Sequence, residues 1–556
     1  MSVVVLAGLT AAQVEQEKFE GSGLQAHDSF GVAVALSGDW AVVGASDADD
    51  VATNSGAAYV FQHSSQGWIE WQRLKAGDPT TSAGFGFSVR IEGNRMAIGA
   101  PAALAQGNLN SGAIYVFELS GGSWSQTAKL AANDAAINFF LGYSIALSGN
   151  RIIGGAVGEW HAGINTGAAY IFELASGTWT QVAKVVANDG VSGDHFGWSV
   201  GLNGDVAVAG AVGAFNGSIN YVGAAYVYER QGAQWVQTQK LTPPNPSRTQ
   251  AFGMTSAVTV DGILVGAPNN HIGAPGGGAV FVFQHPNSTW DQVQVLTPRD
   301  IASADAFGSA ISVSGTHAVI GDYSHDTPFG YGAIYVFEEA GSTWRQTGKC
   351  FAADMVYGDG MGDSCAIDGT TILAGNVFFD GACPGMLTCD SGAAYFFEIA
   401  PGVSQYGSCG GASPCSNSDG HGGCRNSTGY GAVLAACGTK SVAADDLSLE
   451  ARWLPPGVNA IGFLGRARTS AFLGDGLRVV SPGLGSGLYR LPLASADASG
   501  VLHYGPGLVA LSQGLPAGGH IQPGEQWNLQ VWYRDVAGPC GSGTNTTNGL
   551  SLVFAP

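Results

Sequence analysis

The chain repeats one pattern of apolar and polar positions seven times. Each copy starts at a Phe-Gly dipeptide or a close variant of it, and neighbouring starts are 54 to 56 residues apart. The seven starts are Phe30, Phe85, Leu141, Phe196, Phe252, Phe307 and Met361, each followed by Gly. A fixed period of this length indicates stacked supersecondary units, each of which buries its apolar face against the next.

Every copy contains up to four strand-like segments. An alternating run such as Val32–Leu36 is followed by a Gly-Asp or Gly-Asn turn and a short apolar run that ends in Gly-Ala or a relative of it. A polar loop of variable length leads to a third run such as Gly56–Phe61, and the fourth begins at a Trp such as Trp68. These copies contain no apolar period long enough for a helix. Each copy therefore predicts one four-stranded antiparallel sheet.

Seven such sheets predict an all-β fold, a seven-bladed β-propeller over residues 13–399. The seventh copy has no Trp-initiated fourth segment. Residues 13–19 have the missing pattern, and Phe19 precedes the first Phe-Gly by 11 residues, as the last apolar residue of the fourth segment does elsewhere. We therefore predict that this amino-terminal strand pairs with Ala393–Glu398 and closes the ring, which removes two sheet edges.

The motifs resemble those of the FG-GAP repeat propeller, the fold of integrin α-subunit heads and of many exported bacterial proteins. The resemblance rests on the Phe-Gly starts, on Gly99-Ala100-Pro101 and Gly266-Ala267-Pro268, and on the Gly-Ala-x-Tyr of the third segment. Integrin-type repeats often carry a calcium loop between the first two strands, but here that connection is a two-residue turn. The sequence thus predicts no cofactor, although calcium stays possible, and offers only Asp47 and Asp49 as a weak metal candidate.

The composition changes after residue 399. Residues 400–430 are rich in Gly, Ser and Cys and are predicted to be a linker, whereas residues 431–556 contain alternating segments that predict a small β-sandwich-like module. Stretches such as Cys424–Gly429 and Trp532–Asp535 resemble a carboxy-terminal module of exported bacterial proteins, which brings no assigned activity. The predicted strands are Ala432–Ala436, Leu447–Trp453, Ala460–Gly465, Leu488–Leu493, Gln526–Tyr533 and Leu550–Phe554.

Two features favour a secreted or cell-surface (envelope) location. Residues 1–12 are similar to the end of a secretory signal peptide, and the nine cysteines fit an oxidising compartment. Cys350 and Cys365 are either a bridge or buried thiols, and Cys540 is left without an evident partner. The cysteines predicted to form disulfides, with the pairing open beyond a local bridge between the first two, are Cys383, Cys389, Cys409, Cys415, Cys424 and Cys437.

Charge and hydropathy restrict the partners. A net charge of −20 argues against nucleic acid, which requires a basic surface. No apolar run is long enough to span a bilayer, so we expect no transmembrane segment. The expected partner is an extracellular protein or glycan.

Candidate binding residues lie in the loops between the second and third strands, because these loops differ most between copies. Variable loops on a rigid scaffold commonly carry recognition, and aromatic rings beside carboxylates and amides suit a glycan or a peptide. Most of these side chains can also be explained as loop caps. The candidates are Asp47, Asp49, Trp160, His161, Phe215, Asn216, His271, His325, Asp326, Phe378 and Asp380.

The leading functional hypothesis is an exported binding or adhesion protein. The alternatives are a secreted carbohydrate-active enzyme, namely a polysaccharide lyase or hydrolase that uses rim carboxylates with His161 or His325, and a purely structural envelope component. The chain lacks a nucleophile elbow, a His-Glu-x-x-His motif and a phosphate loop, which favours a protein that is not an enzyme. Two recurrent Asp positions, represented by Asp28 and Asp78, are predicted to be turn-forming residues that bind backbone amides.

Overall fold

A computed structural model describes most of the chain. The described residues are 10–555, except for positions 50, 65–66, 162, 216–218, 220, 249, 299–300, 326–331, 341–342, 351, 353–357, 381–389, 407–422, 429–430, 438–441, 444, 446, 484–486, 498–499 and 506. The chain divides into two compact units. One comprises Glu17–Arg345 with Phe351–Phe396, and the other comprises the rest, chiefly Phe397–Pro556.

The first strand and the first three blades follow the predicted repeat. Each blade is a four-stranded antiparallel sheet in which sequential strands are neighbours. A two-stranded hairpin is added in the third blade between its second and third long strands. The strands are β1 (Thr10–Phe19), β2 (Phe30–Ser37), β3 (Trp40–Ala45), β4 (Ala57–Ser64), β5 (Gly67–Leu74), β6 (Ser88–Glu92), β7 (Arg95–Ala100), β8 (Ala113–Ser120), β9 (Ser123–Leu130), β10 (Leu141–Ser148), β11 (Arg151–Ala156), β12 (Trp160–His161), β13 (Ile164–Asn165), β14 (Ala168–Ala175) and β15 (Thr178–Val185).

The next three blades have the same order, and the seventh is completed from the other end of the chain. β1 pairs with the third strand of blade seven, which confirms the predicted closure. The strands are β16 (Phe196–Asn203), β17 (Val206–Ala211), β18 (Ala224–Gln231), β19 (Gln234–Leu241), β20 (Thr255–Val258), β21 (Gly262–Ala267), β22 (Ala279–Gln284), β23 (Asp291–Leu296), β24 (Ile311–Ser314), β25 (His317–Asp322), β26 (Ala333–Ala340), β27 (Thr343–Cys350), β28 (Ser364–Asp368), β29 (Thr371–Asn376) and β30 (Ala393–Tyr406).

One parallel bridge recurs between every pair of neighbouring blades and closes the ring. It joins the Gly that starts the third strand to the Phe-Gly start of the next blade, as in Gly56 with Phe85. At the closure, Gly392 of blade seven bridges Phe30 of blade one in the same way. Phe19 at the end of β1 packs against Phe61 and Phe396, with ring centroids 4.8 and 5.5 Å away.

The two glycines of the repeat motif meet across each blade junction. A Cβ on Gly44, in the Gly-Ala end of the second strand, would overlap the carbonyl oxygen of Gly86, in the Phe-Gly of the next blade. The same contact occurs at all seven junctions, including Gly375 with Gly31 at the closure. The period is therefore imposed by backbone-to-backbone packing, which only glycine permits at this separation.

The Phe of the motif fills the space beside this contact. The ring of Phe30 packs edge-on against Tyr59 and Phe61 of the third strand of its own blade, at centroid distances of 5.2 and 6.4 Å. Equivalent aromatic contacts occur in blades two, four, five and six. The core is therefore a series of apolar layers between neighbouring sheets.

Hydroxyl groups on the first strands add a ring of hydrogen bonds. Ser88, for example, donates through Oγ to the carbonyl oxygen of Gly142 in the next blade at 2.7 Å. Ser364 donates to Gly31 at the closure, also at 2.7 Å. The other donors are Ser144, Ser199, Thr255 and Ser309.

The two ends of the propeller differ, and we name them by their connections. The turn rim carries the short turns between first and second strands and between third and fourth strands. The loop rim carries the longer loops between second and third strands and the connections from one blade to the next. On the turn rim, neighbouring turns bind each other: Gly93 N–H donates to Ser37 Oγ at 2.9 Å, and Gly149 N–H donates to Glu92 Oε2 at 2.7 Å.

The carboxy-terminal unit is a β domain that contains all six predicted strands. Its larger sheet has the order end of β30, β40, β38, β33 and β36, with β39 on β38, while β31, β32 and β37 form a second sheet. Leu434, Leu449 and Tyr504 from the second sheet share a core with Trp527 and Val531 of the first. The elements are β31 (Val433–Cys437), β32 (Ser448–Arg452), β33 (Asn459–Gly465), β34 (Ala467–Leu473), β35 (Gly476–Ser481), β36 (Tyr489–Ser495), β37 (Leu502–Tyr504), α1 (Leu508–Ser512), a 3-10 turn (Ala517–Gly519), β38 (Gln526–Asp535), β39 (Gly543–Thr546) and β40 (Gly549–Val553).

Two boundaries differ from the sequence prediction. β1 starts at Thr10 and so includes residues 10–12, which were grouped with the signal-like segment. β30 continues to Tyr406, into the predicted linker, because Ser404–Tyr406 pair with β40. A strand that finds a pairing partner continues through Pro and Gly that otherwise favour a loop.

Candidate functional site

The loop rim is where the propeller exposes large apolar side chains. Among the described propeller residues, ten such side chains that are more than a third exposed lie on the loop rim, whereas only Val260 lies on the turn rim. Five others lie on outer strands. The ten are Val51, Leu104, Leu109, Ile137, Trp160, Ile164, Val191, Phe215, Tyr221 and Phe378. Exposed apolar groups concentrated on one face mark an interaction surface more often than scattered ones do.

The loops of this rim are held by the connection to the following blade. In blade two, Asn110 Nδ2 donates to Asn138 Oδ1 at 2.9 Å, and Asn108 Nδ2 donates to the carbonyl oxygen of Ala135 at 3.0 Å. Gln106 Nε2 donates to the carbonyl oxygen of Ala132 at 2.9 Å. The exposed side chains are thus carried on positioned backbone, which lowers the entropy cost of binding.

Beneath the loops, three junctions carry a polar clasp of Asp, Lys and Tyr. Asp189, in the connection that leaves blade three, accepts hydrogen bonds from Lys240 Nζ at 2.6 Å and Tyr226 Oη at 2.9 Å, both in blade four. Burial raises the pKa of Asp189, but these two hydrogen bonds outweigh burial and leave it below its usual value. At a second junction Asp78 binds Lys129 and Tyr115 in the same way. At the third, Lys184 binds Asp134 at 2.6 Å, and Tyr170 occupies the tyrosine position without a hydrogen bond from its hydroxyl.

The prediction for one of the two recurrent Asp positions is wrong, and the prediction for the other is confirmed. Asp78, predicted to bind backbone amides, pairs instead with side chains of the next blade. Asp28, Asp194 and Asp305, two residues before the Phe-Gly, do accept a backbone N–H three residues earlier, at 2.8 to 2.9 Å. In blade five the clasp positions hold Asn245, Val295 and Phe281, so all three polar residues are replaced together.

Trp160 and His161 form the outer strand of the hairpin in blade three. Both side chains are exposed, Trp160 by 59%. Backbone pairing of Trp160 with Asn165 and of His161 with Ile164 fixes the hairpin. The sequence did not predict this hairpin, since two-residue strands leave no periodic signal.

The remaining rim candidates are distributed over several blades. Phe215 and Phe378 are exposed, and the carbonyl oxygen of Phe215 accepts a hydrogen bond from Lys240 at 3.2 Å. His271 is exposed and lines a groove with Asn245 and Arg248, between the loop of blade five and the connection that precedes it.

The acidic candidates serve their own loops. Asp49 Oδ1 accepts the Asn54 N–H at 2.7 Å, and Asp47 Oδ2 accepts the Ser46 hydroxyl at 3.0 Å. Asp380 Oδ1 accepts the Asp390 N–H at 3.0 Å. Two predicted candidates, Asn216 and Asp326, lie outside the described residues.

His325 differs from the other rim candidates because it is buried, with 3% of its surface exposed. It lies with Asp305 and Asp322, which are also buried. Nδ1 of His325 is 3.3 Å from Asp305 Oδ2 and 3.5 Å from Asp322 Oδ2, while Tyr335 Oη lies 3.2 Å from the same nitrogen. Within the described residues this is the only group of three or more His, Cys, Asp or Glu side chains close enough to bind one metal ion.

Asp322 departs from the repeat, and this departure is a signal in the sequence that the recurring motifs did not reveal. The residue after the second-strand glycine is Ala in blades one to five, but it is Asp322 in blade six and Asn376 in blade seven. An ionisable side chain at a position that is elsewhere a fully buried Ala is costly unless it is partnered. Burial indeed raises the pKa of Asp322, more than the nearby His325 lowers it.

The first strands line a central channel. The rings of Phe87, Tyr143 and Trp198 pack in a row along one side of it, tilted relative to one another, with neighbouring centroids 5.0 Å apart. Burial raises the pKa of Tyr143 to about 12. Arg90 extends into the channel and is solvent-accessible, although the surrounding protein lowers its pKa. Six small residues leave room for it: Ala35, Ala146, Gly201, Ala257, Ser312 and Ala366.

The cysteines fall into three groups. Cys350 and Cys365 are buried thiols rather than a bridge, and burial raises the pKa of Cys365 to about 12. Cys424 and Cys540 are disulfide-bonded, so Cys540 is not the leftover cysteine that the sequence indicated. Of the other predicted disulfide cysteines, Cys437 lies in β31, and those outside the described residues are Cys383, Cys389, Cys409 and Cys415.

Comparison with known families agrees with this geometry. The FG-GAP repeat model matches six times, at residues 14–61, 68–117, 124–172, 179–228, 235–283 and 290–337. The chain belongs to the FG-GAP repeat family. Each matched segment begins in a fourth strand, or at β1, and ends in the third strand of the next blade, so the FG-GAP unit spans a blade junction.

Two further findings accompany the match to the FG-GAP repeat family. No curated protein matches the chain. In the described part of this FG-GAP protein, none of the helices has the length and apolar character needed to cross a membrane.

Proposed function

We propose that the protein is a secreted or cell-surface binding protein that recognises another protein through the loop rim of its propeller. FG-GAP propellers often occur in binding proteins, and the observation that carries the proposal is the concentration of exposed apolar side chains on that rim. The net charge of −20 adds a field that would speed the approach of a basic partner.

The chemistry of the rim favours a protein partner. Leu109, Ile137 and Val191 are exposed aliphatic side chains, and Leu109 is 66% exposed. Aliphatic groups gain from desolvation against apolar partner surface, as at the centre of protein–protein interfaces, but they offer little to a hydroxyl-covered sugar.

A glycan is the second candidate, and the hairpin of blade three favours it. Trp160 offers an exposed ring on which a sugar can stack, and the same hairpin carries the exposed hydrogen-bonding ring of His161. A glycan site would be centred on this hairpin, whereas a protein interface would extend to Phe215 and the aliphatic positions.

A catalytic role receives less support. Of the two histidines considered for a polysaccharide lyase or hydrolase, His325 is buried and cannot reach a polymer, and the carboxylate nearest in sequence to His161, Glu159, is buried and paired with Lys184 at 2.6 Å. A general acid or base must reach its substrate within hydrogen-bond distance. We therefore treat turnover as the contrasting outcome of the binding test.

The test is a binding screen of the full chain against extracellular proteins and a glycan array, with a parallel turnover assay on acidic polysaccharides. The hit is then measured with the loop-rim variant Trp160→Ala/Phe215→Ala/Phe378→Ala. The matched control is Ile69→Ala/Trp71→Ala/Val236→Ala, which removes similarly exposed apolar groups from outer strands.

We expect the loop-rim variant to bind at least about tenfold more weakly and the control to bind normally, since interface anchors typically contribute 1 kcal/mol or more each. Equal loss in both variants, or no loss in either, would place the binding surface elsewhere. Product formation abolished by His161→Ala would replace the proposal with an enzymatic function.

A further inference from the structure

Blade six departs from the repeat at a single buried cluster. Asp305 belongs to the repeat, because Asp28 and Asp194 occupy the same position in other blades. Asp322 and His325 do not, since five of the other blades carry Ala where Asp322 lies. All three residues are at least 97% buried. Blade six therefore places two ionisable groups at buried positions that are both Ala in blades one, two and four. The remaining blades carry one buried polar residue each at these positions, namely Glu159, Asn270 and Asn376.

The Nδ1 atom of His325 has more oxygen neighbours than one nitrogen can bind, and they are farther away than in ordinary hydrogen bonds. Nδ1 of His325 faces three oxygens, at 3.2 Å (Tyr335 Oη), 3.3 Å (Asp305 Oδ2) and 3.5 Å (Asp322 Oδ2). A ring nitrogen has either one N–H or one lone pair. Hydrogen bonds from an imidazolium to a carboxylate are usually about 2.7–2.9 Å. One proton on Nδ1 cannot satisfy both carboxylates in this arrangement.

Two carboxylate oxygens in the cluster have no hydrogen-bond partner although they are buried. These atoms are Oδ1 of Asp305 and Oδ2 of Asp322, and the second of them faces His325 Nδ1. The other Asp322 oxygen accepts the Ala306 N–H at 2.8 Å, which fixes the carboxylate in place. A buried carboxylate oxygen without a partner is costly, so Asp322 Oδ2, which faces the imidazole, calls for a missing positive group. The unpartnered Asp305 Oδ1 is a feature of the repeat, because the equivalent Asp194 Oδ1 in blade four has no partner either.

We propose that Asp305, Asp322 and His325 bind one divalent transition-metal ion, and that zinc fits the site best. Bonds of about 2.0–2.2 Å from a tetrahedral zinc place neighbouring ligand atoms roughly 3.3 Å apart. The two carboxylate-to-imidazole distances are 3.3 and 3.5 Å, so the ligands need little movement. Two carboxylates neutralise the ion, and the imidazole nitrogen favours zinc over calcium or magnesium.

The ion would join three segments of blade six near the loop rim. Asp305 lies in the connection from blade five, Asp322 ends β25, and His325 lies three residues into the loop towards β26. Blades two to four stabilise the corresponding junction with the Asp–Lys–Tyr clasp. The ion thus anchors the start of a rim loop, and this role does not depend on what the rim binds.

The experiment measures zinc binding by the full chain and by variants chosen from the repeat itself. Asp322→Asn keeps an oxygen for the Ala306 N–H and installs the residue found in blade seven. His325→Gln removes the imidazole. The control is Asp194→Asn, which alters the position equivalent to Asp305 in blade four, where Ala211 replaces the second carboxylate.

Each protein is treated with chelator, dialysed, loaded with zinc chloride and passed through a desalting column, and its metal content is measured by mass spectrometry. We expect about one zinc per chain for the parent and for Asp194→Asn, and less than about a tenth of that content for each of the two site variants, because each loses a direct ligand. Cobalt(II) loading should give visible absorption bands in the parent that His325→Gln lacks.

The proposal is overturned if the parent retains no zinc, or if Asp322→Asn and His325→Gln both bind zinc as the parent does. It is also overturned if calcium displaces zinc at equal concentration. Because two independent variants are used and circular dichroism checks the fold of each, misfolding of one of them leaves the other to decide.

Discussion

The two rims of the propeller are built from the same seven sheets, yet they treat their side chains in opposite ways. On the turn rim, side chains form hydrogen bonds with neighbouring turns. Arg151 Nη1, for example, donates to the carbonyl oxygen of Gly204 and to Asp205 Oδ1, both at 2.9 Å. On the loop rim, polar side chains such as Asp189 bind the next blade underneath, while Trp160 and Phe215 are left to solvent.

This difference separates what the repeat requires from what it permits. Turns of two residues have no spare length, so their side chains can do little except bind the adjacent turn. The longer loops need only their ends fixed, which the recurrent parallel bridge does. Residues that the fold does not constrain are therefore concentrated on the loop rim, and these residues can vary to create a recognition surface.

The largest effect is expected from a change that disturbs the frame beneath both rims. In Gly210→Ala the new methyl group would overlap the carbonyl oxygen of Gly253, a backbone atom that cannot move aside. We expect a loss of about 3 kcal/mol or more in the free energy of unfolding, measured by urea denaturation.

Its control is Gly204→Ala on the turn rim. That glycine has φ of +55° but nothing within 4 Å of an added Cβ. Only the backbone strain should be felt, at about 1 kcal/mol. If Gly210→Ala costs no more than Gly204→Ala, packing of glycine against carbonyl does not set the repeat.

An intermediate effect is expected from the clasp that supports the loop rim. Asp189→Ala leaves Lys240 and Tyr226 without their shared acceptor and should cost about 1 kcal/mol, a value discounted because the Asp189 side chain is 54% exposed. Blade five supplies the rescue, since the triple variant Asp189→Asn/Tyr226→Phe/Lys240→Val copies its residues. No rescue by the triple variant would mean that the three residues do not act as a unit.

The same clasp predicts a pH dependence. The hydrogen bonds from Lys240 and Tyr226 lower the pKa of Asp189 in spite of its burial. A lowered pKa in the folded state means that this stabilisation is present above the unfolded pKa, about 4, and is lost as the pH falls through the folded pKa. Asp189→Ala should therefore lower the melting temperature at pH 7 more than at pH 3. An equal decrease at both values would contradict the ionic clasp.

The smallest effect on stability is expected from the exposed rim itself. Trp160→Ser removes a side chain that is 59% exposed, so it should change the free energy of unfolding by less than about 0.5 kcal/mol. A larger loss would mean that this ring packs against its own loop and belongs to the frame. Such a result would remove the basis for assigning recognition to this rim.

The fold was largely predictable because its signals are repeated. Seven Phe-Gly starts, the Gly-Asp turns and the displaced strand at residues 13–19 each report backbone geometry, and the observed sheets and closure agree with them. What the pattern did not reveal depends on single contacts. The hairpin at Trp160 is too short for a period, and the extension of β30 needed a pairing partner far away in the sequence.

The candidate site was predictable only in part, for a related physical reason. Loop variability selected Trp160, Phe215 and Phe378 as candidates, and the structure places them on the loop rim with 37 to 59% of their surface exposed. It grouped His325 with them, although that side chain turns inward to two carboxylates. The recurring motifs did not indicate Asp322, because this residue departs from the repeat at a position that is Ala in five other blades.

The contact between paired glycines has a consequence for the origin of such proteins. Because the same glycine and carbonyl groups meet at every junction, with a Ser or Thr hydroxyl beside them at six of the seven, each repeat offers nearly the same docking surface to whatever repeat follows it. A repeat that arises by duplication of a gene segment can therefore pack against its neighbour without further change, and its loop between the second and third strands is free to diverge. The architecture is in this sense modular at the level of heredity as well as of form.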